Sequence, residues 1–243
     1  MFDFSNPLEL SNFILLICSL ILMAIVVMFS FKLSKEREEE TEKSNMRTWG
    51  YFFLLLIFAT LLTLTWRYLI PGDLALMLFG YELTVVNLVE RTANAIVFIA
   101  CFVRILEIEK SLIRLEWYKR HYFSAIVFVT IFINIFVDPN TLKEALSVTQ
   151  LVFLAILGLG YMVFPMIYFY VARKSTGDIR TNAIKVFVGA GFIALGFLFR
   201  YHNLVGYLGM DPLLDGLIRY LAITAPISLI LGTVFIFDGF RKA

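Results

Sequence analysis

The sequence predicts an all-α, polytopic membrane protein: one domain over residues 1–243, built as a seven-transmembrane-helix bundle with the N-terminus outside and the C-terminus in the cytoplasm. Two observations predict it. The composition is 60% hydrophobic and only 16% charged, with a mean hydropathy of +0.84, which is far from the average soluble domain. The connections between apolar runs also alternate between basic and non-basic. An outer-membrane barrel would instead show ~10-residue segments of alternating polarity.

Seven apolar runs are long enough to cross a bilayer, which takes roughly 20 residues, and the fourth is the shortest. The first run is expected to stay as a membrane helix, because residues 1–11 contain Asp3 and Glu9 but no basic n-region of a signal peptide. The charge run from Lys32 to Arg47 is expected to be a solvated loop. The predicted spans are about 12–31, 48–70, 83–103, 121–137, 147–172, 182–201 and 217–237.

The orientation follows from the Lys and Arg residues, of which sixteen out of 21 fall in the connections on one side. Arg104, just after the third span, is counted among them. Cytoplasmic connections retain an excess of Lys and Arg, so this side is predicted to be cytoplasmic. Aromatic residues at the span ends are expected to lie at the membrane interfaces: Trp49, Trp66, Tyr68, Trp117, Tyr118, Tyr122, Tyr201 and Tyr220.

Several classes of function are disfavoured. The net charge of +2 is small and dispersed, which argues against a nucleic-acid partner. Cys18 and Cys101 lie in apolar runs and are expected to be small hydrophobic side chains. His121 and His202 are predicted at opposite faces, which disfavours bis-histidine haem. No nucleophile–base set or metal-ligand cluster stands out, so we expect no enzyme, no metal site and no cofactor.

The third span carries the polar side chains of greatest interest. Asn87, Glu90, Arg91 and Asn94 are spaced i, i+3, i+4 and i+7, which places them along one face of a helix. Charged side chains in a bilayer are costly, so this face is predicted to point into the bundle. Glu90 lies ~21 Å along the helix from Arg104, in the predicted outer half of the membrane.

Two interpretations of these polar groups stay open. They could form interhelical ion pairs or reach the outer interface, which requires no ligand. They could instead line an outward-facing cup for a small polar or anionic ligand, with Glu90 holding the arginines in place. The predicted ligand-binding residues of this cup are Glu90, Arg91, Asn87, Asn94, Arg67, Trp66, Arg200, His202 and Arg219.

Seven spans, an external N-terminus, short loops and a length of 243 residues resemble the microbial rhodopsins and, more loosely, the seven-transmembrane receptors. Microbial rhodopsins bind retinal through a Lys in the seventh helix. Residues 217–237 contain no Lys, and Lys185 lies toward the predicted cytoplasmic end of the sixth span. The resemblance therefore implies a receptor-like bundle without the retinal-binding lysine.

The predicted function is that of a receptor-like or sensory protein of the cell membrane. The tail after Phe237 is short, so any output is expected to come from a separate cytoplasmic or membrane partner, or from a homo-oligomer. The basic loops are expected to contact anionic membrane lipid. The alternative is a small-solute transporter of the seven-span carrier type, built from two three-helix repeats with the short fourth span as the linker.

Overall fold

The computed structural model describes residues 7–69, 75–78, 81–111, 121–136, 148–198 and 212–241. Within these ranges the chain forms seven helices and one short hairpin. Each helix coincides with one of the predicted apolar runs. The helices are α1 (Pro7–Glu36), α2 (Glu40–Tyr68), α3 (Val85–Ser111), α4 (Tyr122–Phe136), α5 (Val148–Lys174), α6 (Gly177–Leu198) and α7 (Pro212–Phe240).

Four of these helices are long and apolar enough to cross a membrane, namely α1, α2, α6 and α7. The 30 residues of α1 extend about 45 Å, well beyond the ~30 Å hydrocarbon core of a bilayer. The 15 residues of α4 extend only about 22 Å, in keeping with the short fourth run. The chain is thus an α-helical membrane protein.

The helices pack in chain order and close into a ring. Each contacts the next along the chain, α7 returns to α1, and α3 also reaches α5 across the ring. Helices α6 and α7 approach each other closely, since a Cβ atom on Gly189 would lie 2.7 Å from the carbonyl oxygen of Gly232. Glycines at this crossing let the two backbones touch, a device that membrane helices commonly use.

Aromatic side chains fill the interior of the ring. The rings of Phe52 on α2 and Phe164 on α5 stack at 5.1 Å, and Phe98 on α3 lies 4.6 Å from Tyr161 on α5. These rings are buried, and they join helices that are not neighbours in the chain. The outward faces carry exposed apolar side chains, as lipid contact requires, among them Ile14, Ile21, Met28, Phe29, Phe128, Phe132, Met162 and Phe169.

The expected solvated loop from Lys32 to Arg47 was wrong, since only residues 37–39 interrupt the helices there. Charged residues extend both helices past the apolar runs, with Lys32 paired to Glu36 at 3.8 Å and Lys43 to Glu40 at 2.8 Å. Such pairs one turn apart support a helix in water.

The connection from α2 to α3 contains an antiparallel hairpin that the sequence did not predict, with β1 (Ala75–Leu78) paired to β2 (Tyr81–Thr84).

Candidate functional site

The predicted outward cup lies mostly outside the described side chains. The side chains of seven of its nine residues fall there: Trp66, Arg67, Asn87, Glu90, Arg200, His202 and Arg219. Arg91 and Asn94 on α3 are described, Arg91 half-buried and Asn94 fully buried. The cup therefore stays a prediction.

Asn94 contacts the facing helix α5. The hydroxyl of Tyr161 donates a hydrogen bond to Asn94 Oδ1 at 3.2 Å. The amide nitrogen of Asn94 is buried and meets no acceptor among the described residues. A buried donor without an acceptor is costly, and no described group offsets that cost.

A cavity that is partly open to solvent lies at the opposite end of α3 from the predicted cup. We call this the basic end: it is where α1, α3, α5 and α7 finish and where α2, α4 and α6 begin. The cavity, the basic-end pocket, has a volume of about 340 Å³. Five helices supply its lining: Asn45 and Trp49 from α2, Arg104 from α3, Tyr168 and Val171 from α5, Asp178, Ile179, Asn182, Ala183 and Val186 from α6, and Gly239 and Phe240 from α7.

Arg104 is the central polar residue of the basic-end pocket. Its side chain is only 2% exposed, and Nε donates a hydrogen bond to the hydroxyl of Tyr168 at 3.0 Å. Nη1 is buried and meets no acceptor in the described part of the chain. No carboxylate in the described part of the chain lies within 4 Å of the guanidinium. A buried charge without a counter-ion carries a large desolvation cost.

Trp49 compensates part of that cost. The guanidinium carbon of Arg104 lies 4.2 Å from the centroid of the Trp49 ring, a cation–π contact worth about 2 kcal/mol when desolvated. The same indole stacks on Phe240 at 5.0 Å and faces Tyr168 at 6.0 Å. Trp49 therefore positions Arg104 without neutralising its charge, and the guanidinium can still attract an anion.

Two described cations beside the pocket, Lys185 and Arg241, are already paired. Asp238 on α7 accepts from Lys185 of α6 at 2.6 Å and from Arg241 at 2.9 Å. This triad ties α6 to α7 next to the pocket. Among the described lining residues the one acid is Asp178, which is exposed in the first turn of α6.

A second buried charge on α3, Glu109, is held in another way. Its side chain is fully buried, and Oε1 accepts from the backbone N–H groups of Phe123 at 2.9 Å and Ser124 at 3.2 Å. These N–H groups belong to the first turn of α4, the positive end of a helix dipole. His121 Nδ1 adds a contact with Glu109 Oε2 at 3.8 Å. Glu109 thus caps α4.

Known proteins offer no guide to this site. No family model, no curated protein and no solved structure matches the chain.

The sequence did not point to the basic-end pocket. Arg104 was predicted to be one more basic residue of a cytoplasmic connection. Helix α3 instead continues to Ser111, so Arg104 lies within the helix. Trp49 was expected at a membrane interface and is instead 1% exposed inside the ring. One signal was present in the sequence: Ile105, Leu106 and Ile108 follow Arg104, so that it lies within an apolar stretch rather than after one.

Proposed function

We propose that the chain is a seven-span protein of the cell membrane, with its basic end in the cytoplasm and its N-terminus outside. Three observations support this topology. The seven described helices form a closed ring in chain order, their outward faces expose apolar side chains, and Lys and Arg residues concentrate at one end. In this orientation the exposed Arg173, Lys174 and Arg180 meet anionic lipid headgroups or a cytoplasmic partner.

We further propose that the protein is receptor-like or sensory and binds a small anion in the basic-end pocket. The observation that carries this function is the guanidinium of Arg104, which is buried, has no counter-ion among the described residues and lines a cavity of about 340 Å³. Arginine is well suited to bind carboxylate and phosphate groups. A bound anion would supply a counter-charge for this guanidinium.

The lining of the pocket offers a way for binding to be sensed. Five helices contribute side chains, and an occupant touches the ends of all five. A ligand shifts a conformational equilibrium only through contacts that differ between the two states. Closure of these helix ends around an anion supplies such contacts and presents a changed surface to a partner at the basic end.

The test is thermal unfolding of the purified protein in phosphatidylcholine nanodiscs, with acetate, phosphate or phenylacetate added at equal sodium concentration. At least one of these anions is expected to raise the unfolding temperature. The rise is expected to vanish in Arg104→Gln and to persist in Arg173→Gln, a control because Arg173 is exposed and does not line the pocket.

A second variant, which fills the pocket, keeps the test interpretable if Arg104→Gln does not fold. Ala183 lines the cavity and is buried, so Ala183→Met is expected to occupy the space and abolish the anion effect while Arg104 stays in place. The function is overturned when none of the three anions stabilises the wild type, or when the effect survives in both Arg104→Gln and Ala183→Met.

An anion carrier is the second candidate, and the observation in its favour is Asn94. Its buried amide donor lies about 15 Å from Arg104 along the same helix, so α3 presents donors that lack acceptors at two depths. A carrier has to offer a site to both faces of the membrane. Saturable uptake of labelled anion into proteoliposomes, lost in Arg104→Gln, would replace the receptor function by transport.

A further inference from the structure

Resting on the proposed anion-binding function, we infer the chemical class of the ligand: a small monocarboxylate with an apolar, aromatic-sized body. Three properties of the basic-end pocket specify it. These are the size of the cavity, the number of charges that line it and the apolar wall beside Arg104.

The size of the cavity favours an organic ligand over a simple ion. A water molecule takes about 30 Å³ in the liquid, so a cavity of about 340 Å³ has room for roughly ten. An inorganic ion would leave most of that space unfilled. The volume lies at the lower end of the range for small organic ligands.

The charges specify a monoanion. Among the described lining residues Arg104 is the one cation, and Asp178 contributes a carboxylate of the opposite sign. Lys185 and Arg241 lie close by but are both paired to Asp238. One guanidinium balances one negative charge, and Asp178 repels a second one.

The wall beside Arg104 specifies an apolar body. Trp49 is in contact with the guanidinium and with the ring of Phe240, so apolar surface begins next to the positive charge. Val171 and Val186 continue this wall. A carboxylate drawn to the guanidinium of Arg104 would lay its carbon skeleton along these side chains, where burial of an aromatic ring strengthens binding.

Isothermal titration calorimetry in phosphatidylcholine nanodiscs tests this inference with four probes: phenylacetate, acetate, inorganic phosphate and the uncharged phenylacetamide. Phenylacetate is expected to bind about tenfold or more tightly than acetate, because it adds a buried ring to the same carboxylate. Phosphate is expected to bind more weakly than phenylacetate, and phenylacetamide to give no binding heat.

Asp178→Asn separates the effect of charge from that of shape. Asp178 is exposed, so the fold should tolerate the change. Removal of its charge is expected to improve phosphate binding several-fold more than phenylacetate binding. Glu39→Gln is the matched control, since Glu39 is exposed and lies outside the pocket lining.

The outcomes distinguish the inference from the function on which it rests. Phosphate or acetate binding as tightly as phenylacetate, still dependent on Arg104, overturns the ligand class and leaves anion binding intact. Phenylacetamide binding as tightly as phenylacetate shows that charge is not recognised and overturns both. Absence of binding by all four probes also overturns both.

Discussion

Arg104 and Glu109 are five residues apart on α3, both are almost completely buried, and they are stabilised in different ways. The carboxylate of Glu109 accepts two backbone hydrogen bonds from the first turn of α4 and has His121 nearby. The guanidinium of Arg104 has one hydrogen bond, to Tyr168, and an aromatic face, but no carboxylate among the described residues.

Glu109 holds the start of α4, whereas Arg104 has the role that we propose in anion binding. The contrast lies in their partners and not in complete satisfaction, since Glu109 Oε2 and Arg104 Nη1 both lack a hydrogen-bond partner among the described residues. Glu109 satisfies donors that a short helix would otherwise leave unpaired, and so it stabilises the α3–α4 contact. Arg104 forms one described hydrogen bond, to the hydroxyl of Tyr168. An apolar side chain in its place would therefore remove the partner of that hydroxyl only. A buried charge of this second kind adds little to stability, and an open cavity next to it points to ligand binding.

The largest expected effect on folding is that of Glu109→Ala. Loss of the carboxylate leaves the N–H groups of Phe123 and Ser124 without their acceptor, and the free energy of unfolding should fall by about 3 kcal/mol. Denaturant titration in detergent micelles measures the loss. Glu39→Ala is the control, because Glu39 precedes α2 without forming a side-chain cap. A loss below about 1 kcal/mol would show that Glu109 is not the cap of α4.

The double variant Arg104→Met with Tyr168→Phe tests the opposite side of the comparison. It replaces the guanidinium and its hydrogen-bonded hydroxyl by apolar groups of similar volume. The free energy of unfolding is expected to stay the same or to rise by up to about 2 kcal/mol, while anion stabilisation disappears. A destabilisation as large as that of Glu109→Ala would make Arg104 a structural residue.

Tyr168→Phe alone is expected to have a smaller effect. Nε of Arg104 loses its acceptor, which should lower the free energy of unfolding by about 1 kcal/mol. The charge stays in the pocket, so the dissociation constant of the anion should change less than about tenfold. Tyr170→Phe, at an exposed position two residues along α5, should change neither quantity. Complete loss of binding in Tyr168→Phe would transfer the central role to the hydroxyl.

The smallest expected effect is that of His121→Gln. The imidazole is 58% exposed and its Nδ1 lies 3.8 Å from Glu109 Oε2, so screening by water leaves the contact worth about 0.5 kcal/mol or less. Denaturant titration alongside Glu109→Ala gives the comparison. A loss above about 1 kcal/mol would mean that the cap of α4 depends on the pair rather than on the carboxylate alone.

The helices were predictable because each contains a long run of apolar residues. Apolar runs of about 20 residues are rare outside membranes, and all seven reappear as helices in the described chain. Hydropathy located the boundaries poorly at the basic end, where α1 reaches Glu36 and α2 begins at Glu40. There the helices extend past the apolar runs and are supported by charge pairs such as Lys32 with Glu36. A hydropathy profile detects the apolar run and not the full helix.

The amino-acid sequence by itself determined which segments are helical, their order and the end at which basic residues gather, since these follow from local composition. Only the tertiary structure decided which way Arg104 points. At the end of a span, an arginine that reaches toward lipid headgroups and one that turns into a cavity look alike in sequence. The direction depends on Trp49, Tyr168 and Phe240, which three other helices bring to the same place.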